Sequence, residues 1–128
     1  MLKLKVFGKT QSFTIQSGKT AHPRAKAFTG NDLVLHFTVV DAAGDPVDIS
    51  AWTTRSFALF SMAGVSQFTK TPAFVTDGTD GEFTVTIAVG DTSGLDAGNY
   101  PIEIQVSGTG IKSTVVRGLV TFQKTYTA

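Results

Sequence analysis

The chain has 128 residues, a length that fits one domain with one core. It has no cysteine, which excludes disulfides and thiolate metal sites, and its 13 Gly, 10 Phe and many Thr and Val favour strands over helices. The net charge of +1 is unevenly spread: residues 1–30 hold six bases and no acid (+6), while residues 31–128 hold five bases against all ten acids (−5).

At the start, Leu2, Leu4 and Val6 alternate with Lys3 and Lys5, and Phe13 and Ile15 flank Thr14. Gly8-Lys9-Thr10 between them reads as a turn, so this region is expected to be a short hairpin or an extended arm. A two-stranded hairpin alone is marginal in water. It must therefore lie on the body, lie on another subunit, or stay loose. Gln16 to Ala27, with Gly18 and Pro23, reads as a linker. The predicted division is a basic arm and linker over 1–30 and a β body over 31–128.

The body opens with Leu33, Leu35, Phe37 and Val39 on one face of a strand, followed by a turn at Asp41 to Pro46. The strand from Arg55 to Met62 puts Phe57 and Leu59 on one face and Ala58, Phe60 and Met62 on the other. A sandwich layer buries only one face. Phe60 and Met62 are thus candidates for a subunit contact, the other reading being a bulge or a strand buried on both sides. Short strands are expected about Phe68 and at Phe74-Val75. Asp77-Gly78-Thr79-Asp80-Gly81 has the composition of a hairpin loop and delivers a strand with Phe83, Val85, Ile87 and Val89 inward. Asp91-Thr92-Ser93 caps a single helical turn.

Leu95-Asp96-Ala97-Gly98-Asn99-Tyr100 then enters an alternating strand through Val106. In immunoglobulin-like sandwiches a tyrosine at such a point returns its hydroxyl to the backbone of the preceding crossover. Gly98 supplies the backbone angles the corner needs. Leu95, Gly98 and Tyr100 are therefore predicted to form a structural corner. Lys112 to Phe122 is the last long strand, where Gly118 marks a bulge or a close approach of backbones. About seven body strands with turns every 8–12 residues predict an all-β, immunoglobulin-like sandwich.

Catalytic signals are sparse. The two histidines, His22 and His36, do not sit in a pattern that brings a nucleophile, base and carboxylate together, or that spaces zinc ligands. Asp77 and Asp80 resemble part of a calcium loop without its distal bidentate acid. No glycine-rich loop with a following Lys-Ser/Thr occurs. The expectation is a protein that is not an enzyme and uses no cofactor or metal. The basic arm interleaves Phe7, Phe13 and Phe28 with its lysines, as single-strand binders do. The acidic body opposes a polyanion, so nucleic acid is not the expected partner. Trp52 could serve a carbohydrate platform, the alternative reading, but ten of the aromatics are Phe, which suits core filling. No apolar run reaches the roughly 20 residues of a membrane span, and Met1-Leu-Lys-Leu-Lys has no signal-peptide core. A soluble chain that does not act at a membrane is expected.

Charge and pattern together give the arm a role. Leu2, Lys3, Leu4, Lys5 and Val6, with Lys9, Lys19, Arg24 and Lys26, are expected to latch onto the acidic body of a neighbouring subunit, Leu2–Phe7 by strand addition, the other reading being a solvated segment whose lysines only maintain solubility.

The order of these features resembles the immunoglobulin-like domains of tailed-bacteriophage virion proteins, notably the N-terminal domain of baseplate upper proteins. The matching pieces are Leu33–Asp41, Asp41-Ala-Ala-Gly44-Asp-Pro46-Val47-Asp48-Ile49-Ser50, and the strand after Asp80-Gly81. Asp91-Thr92 followed by Leu95-x-Ala-Gly98-x-Tyr100, and the strand Gly118-x-Val120-x-Phe122, complete them. Together they span residues 30–124; the basic arm in front departs from the pattern. The resemblance implies a non-enzymatic component of a phage particle, made in the bacterial cytoplasm. A baseplate, tail or fibre-linking part or a head decoration would fit, with other virion proteins as partners and a homo-oligomer or symmetric array as the working form.

Overall fold

Period-2 alternation shapes nearly all of the computed structural model, which describes residues 10–29, 31–108 and 110–123. Among the described residues nine strands form: β1 Thr10–Gln16, β2 Arg24–Phe28, β3 Leu33–Val40, β4 Thr54–Phe60, β5 Ser66–Lys70, β6 Ala73–Phe74, β7 Glu82–Ile87, β8 Gly98–Gly108 and β9 Ile111–Gln123. A single helical turn, α1 (Val89–Thr92), joins β7 to β8. The strands make a four-stranded sheet, β1-β3-β7-β6, and a five-stranded sheet, β2-β9-β8-β4-β5.

The inner faces are those the alternation predicts. Leu33, Leu35, Phe37 and Val39 on β3 and Phe83, Val85 and Ile87 on β7 are buried in the same core as Phe57, Leu59, Ile102, Ile104 and Val106. Phe37 stacks on Phe83 with ring centroids 5.1 Å apart. Each such side chain contributes roughly 1.5–3 kcal/mol by leaving water, which is how a chain without disulfides holds two sheets together. The orders β1-β3-β7-β6 and β9-β8-β4 reproduce the A-B-E-D and G-F-C arrangement of immunoglobulin sandwiches, with β5 beside β4. One strand departs from that plan: β1 runs parallel to β3.

At the crossover from β7 to β8, the Tyr100 hydroxyl donates to Asp96 O at 2.7 Å, with Gly98 at φ +150° between them and Leu95 packed on the core. On β9 one extra residue, Val115, breaks the register between Ile104↔Val116 and Gln105↔Thr114. Gly118 marks a close approach: a Cβ there would lie 2.3 Å from Pro23 O.

Several expectations change. The division at residue 30 does not hold for the described part of the arm, because β1 and β2 are edge strands of the two sheets. The region expected as a linker contains β2, whose inward residues Ala25 and Ala27 are too small to advertise a strand. β1 pairs with β3, and the expected arm residues Leu2, Lys3, Leu4, Lys5, Val6 and Lys9 lie outside the described residues. The strand expected to reach Val89 stops at Ile87, where Ala88 N–H donates to Asp91 Oδ2 at 2.8 Å and the helical turn begins.

Candidate protein-contact surface

The outer face of the five-stranded sheet carries half-buried apolar side chains on three neighbouring strands. Pro101 pairs with Leu119, and Leu119 with Arg24. Phe60 follows Leu59, the partner of inward Ile102, so it faces outward beside Pro101. Phe60, Pro101 and Leu119 thus form a half-buried apolar row across three strands, ending at exposed Arg24. Pro101 also limits the ladder. Leu119 N–H is turned to Pro23 O at 2.9 Å, so the Pro101 nitrogen, which has no hydrogen, faces β4. Pairing of β4 with β8 ends one residue earlier, at Leu59↔Ile102.

Below the row, the β4–β5 turn exposes Met62 and Val65, 70% and 60% accessible. Exposure this high on apolar residues beside an apolar row marks a contact surface better than scattered exposure would. A shallow cavity of about 380 Å³ lies between Phe60, Met62, Gly64, Pro101, Glu103 and Arg117. Arg117 Nε reaches Glu103 Oε2 at 3.6 Å, and Lys26 is exposed beside Arg24 on β2. The patch is therefore apolar at its centre with a mainly basic rim.

The predicted residues fall in different places. Phe60 and Met62 come together here, joined by Pro101 and Leu119, which the sequence reading missed. Arg24 and Lys26 stand on the rim, and Lys19 sits in the turn after β1. Leu95, Gly98 and Tyr100 form the corner beneath the crossover. A Pro breaking an otherwise apolar alternation, and a Leu one residue after Gly118, were the available signals for the missing pair.

Elsewhere the polar groups serve the fold. His36 Nε2 lies 2.9 Å from Glu82 Oε1 on the outer face of the four-stranded sheet. Asp77 Oδ1 accepts from Thr79 N and Oγ1 at 3.0 and 2.6 Å, and Asp80 Oδ1 from Glu82 N at 3.1 Å. Thr79 thereby holds the Asp77 carboxyl below its ordinary range, as Ser50 does for Asp48. These carboxylates close turns, and no metal-type cluster of acids and histidines forms among the described residues. The Trp52 ring is half-buried, edge-on to Phe83 at 6.0 Å. No described helix is long and apolar enough to cross a membrane.

No family model and no curated protein matches the chain. Among solved structures, the N-terminal domain of phage TP901-1 ORF48 is similar over 90% of this chain and 97% of its own, at 9% identity and a TM-score of 0.49. CopC from Methylosinus trichosporium OB3b is similar over 82% of this chain and 88% of its own, at 14% identity and a TM-score of 0.47. At these identities and scores neither likeness assigns an activity or a partner.

Proposed function

We propose that this protein is a bacteriophage virion component, a rigid immunoglobulin-like block that works by protein–protein packing and catalyses no reaction. The ordered motifs over residues 30–124 support the setting, in a baseplate, tail, fibre junction or head surface. The observation that carries the mechanism is the Phe60-Pro101-Leu119 row with Met62 and Val65 exposed beside it. An apolar centre with a charged rim is the anatomy of a protein interface.

Charge points to how copies would meet. Asp41, Asp45, Asp48, Asp77 and Asp80 all lie on the loops 41–53 and 75–81, tied together by Ile49 N–H donating to Gly78 O at 2.8 Å. β4 starts beside those loops and ends at the turn bearing Met62, so the acidic end and the patch are at opposite ends of the sandwich. A basic-rimmed patch on one copy facing the acidic loops of the next makes a head-to-tail contact, which closes into a ring when the rotation allows.

The test is the variant Phe60→Ser/Met62→Ser, measured for particle incorporation and, in isolation, for self-association by sedimentation. The expected result is a folded sandwich whose association weakens at least ~10-fold. Normal incorporation of the folded variant would remove the patch from the mechanism. Binding to a carbohydrate array, lost on Trp52→Ala, would favour an adhesion module instead.

A further inference from the structure

We propose that the inter-sheet cavity beside Trp52 is a socket for the exposed Met62 turn of a second copy of this chain. The inference rests on the head-to-tail packing proposed above and names the site that receives the apolar turn. Three observations carry it.

The first is a cavity held open at the acidic end of the sandwich. About 170 Å³ lies there between the sheets, walled by Ile15, Val39, Val106, Val115 and the half-buried Trp52. Two local features build it. Val115 is the extra residue where the β8–β9 register breaks, and Ile111, Ser113 and Val115 all border the cavity. The turn after β1 crosses from one sheet to the other and is tied to both. Ser17 N–H donates to Val40 O at 2.7 Å, Thr20 Oγ1 to Thr114 O at 2.8 Å and Ala21 N–H to Val115 O at 2.9 Å. Ser17, Gly18 and Ser113, which border the mouth, are small and exposed.

The second is an apolar knob of fitting size. Among the described residues Met62 is the most exposed large apolar side chain, followed by Val65 on the same turn. That turn is tight: Ser61 N–H donates to Val65 O at 2.8 Å and Gly64 N–H to Ser61 O at 2.9 Å. Met62 therefore projects from a fixed base. A cavity of roughly 150 Å³ with aliphatic and aromatic walls takes up benzene, so the socket has room for a methionine side chain. Methionine is unbranched and adapts to irregular walls, and its sulfur makes favourable contacts with aromatic rings such as that of Trp52.

The third is placement and charge. β1, β3 and β8 end at the cavity and β9 begins there. β4 also starts at that end, with Thr54 paired to Ser107, and it runs to the Met62 turn at the other. Knob and socket thus lie at opposite ends of the sandwich, as a contact that repeats from copy to copy requires. Asp41 follows Val40 at the mouth, and Asp48 lies on the loop that leads to Trp52. The turn from Ser61 to Ser66 carries no charge, so it seats among these aspartates without repulsion. Arg24 and Lys26, exposed on the knob-bearing copy, give the aspartates a partner of opposite sign.

The test uses the full chain, which has no cysteine of its own. Ala63→Cys puts a thiol beside the knob and Ser17→Cys puts one at the mouth, both at exposed positions. The two proteins are mixed, treated with a short bis-maleimide, and their mixed dimers followed by intact mass. Ala63→Cys mixed with Thr86→Cys, exposed on the four-stranded sheet, measures random encounter. The expected result is a mixed dimer forming at least ~10-fold faster with Ser17→Cys than with Thr86→Cys, and loss of that preference when Met62→Ser is added to the Ala63→Cys protein. A preference that survives Met62→Ser would overturn the socket and leave head-to-tail packing standing. No preference at all would also overturn the socket. Particle incorporation of Phe60→Ser/Met62→Ser then separates the two readings: exclusion keeps the patch as a contact with a different virion protein, and normal incorporation removes the patch as well.

Discussion

β1 and β2 border the same side of the sandwich and come from consecutive stretches of chain, yet their edges are finished differently. β2 is pressed so closely onto β9 that Gly118 has no room for a side chain beneath Pro23, and Gln11 reaches across from the other sheet to occupy the Lys26 peptide. β1 presents seven regular residues with small hydroxyl side chains on its outer face. The contrast shows that one amide side chain can close a parallel edge, by supplying the donor and acceptor a missing strand would bring.

Gly118→Ala breaks the tighter of the two arrangements and has the largest expected effect. The added methyl meets a backbone carbonyl at 2.3 Å and the Pro23 ring at 2.9 Å, so β2 must move as a unit. A loss of roughly 3 kcal/mol is expected, at the upper end for overpacking. Urea unfolding would measure it, and hydrogen exchange should rise along β2 while β1 stays protected. A change under ~0.5 kcal/mol would mean that β2 is not held by that contact. Gln11→Ala comes next. It removes two hydrogen bonds to exposed backbone groups that water can partly replace, so about 1 kcal/mol is expected. Faster exchange confined to the Lys26 amide would locate the loss.

The contrast also explains what could be read in advance. β3, β7 and β8 place large apolar residues at every second position over most of their lengths, so their inner faces and the Tyr100 corner are legible in the sequence. β2 is not, because an edge strand crowded against Pro23 and Gly118 has space only for Ala25 and Ala27. The direction of β1 is hidden for another reason: parallel pairing with β3 depends on the turn at Gly18, which reverses the chain into the other sheet. The contact surface was half legible. Phe60 and Met62 stand out within their own strand as apolar residues on the wrong face. Pro101 and Leu119 join them only once the register of β4, β8 and β9 is known, and no single-strand pattern contains that register.

The smallest effect lies at the opposite edge of the five-stranded sheet, on β5. Lys70 Nζ is 2.7 Å from Asp91 Oδ2, which also accepts from the Ala88 N–H. The Lys70 hydrogen bond, against the cost of partial burial, holds the Asp91 carboxyl below its ordinary range. A carboxyl whose pKa is depressed by folding stabilises the fold above its unfolded pKa, and that contribution disappears as the pH falls through the folded value. Lys70→Met should therefore cost roughly 0.5 kcal/mol at pH 7, the size of a partly exposed ion pair. The gap to the parent protein should close as the pH falls out of the ordinary carboxylate range and through the lower value of the paired Asp91. Urea midpoints for both proteins at neutral and acidic pH would trace this. Lys70 also lies 6.0 Å from the Phe68 ring centroid, a contact that does not titrate with Asp91. A gap that persists unchanged in acid would assign the stabilisation to that ring contact and leave the ion pair contributing nothing.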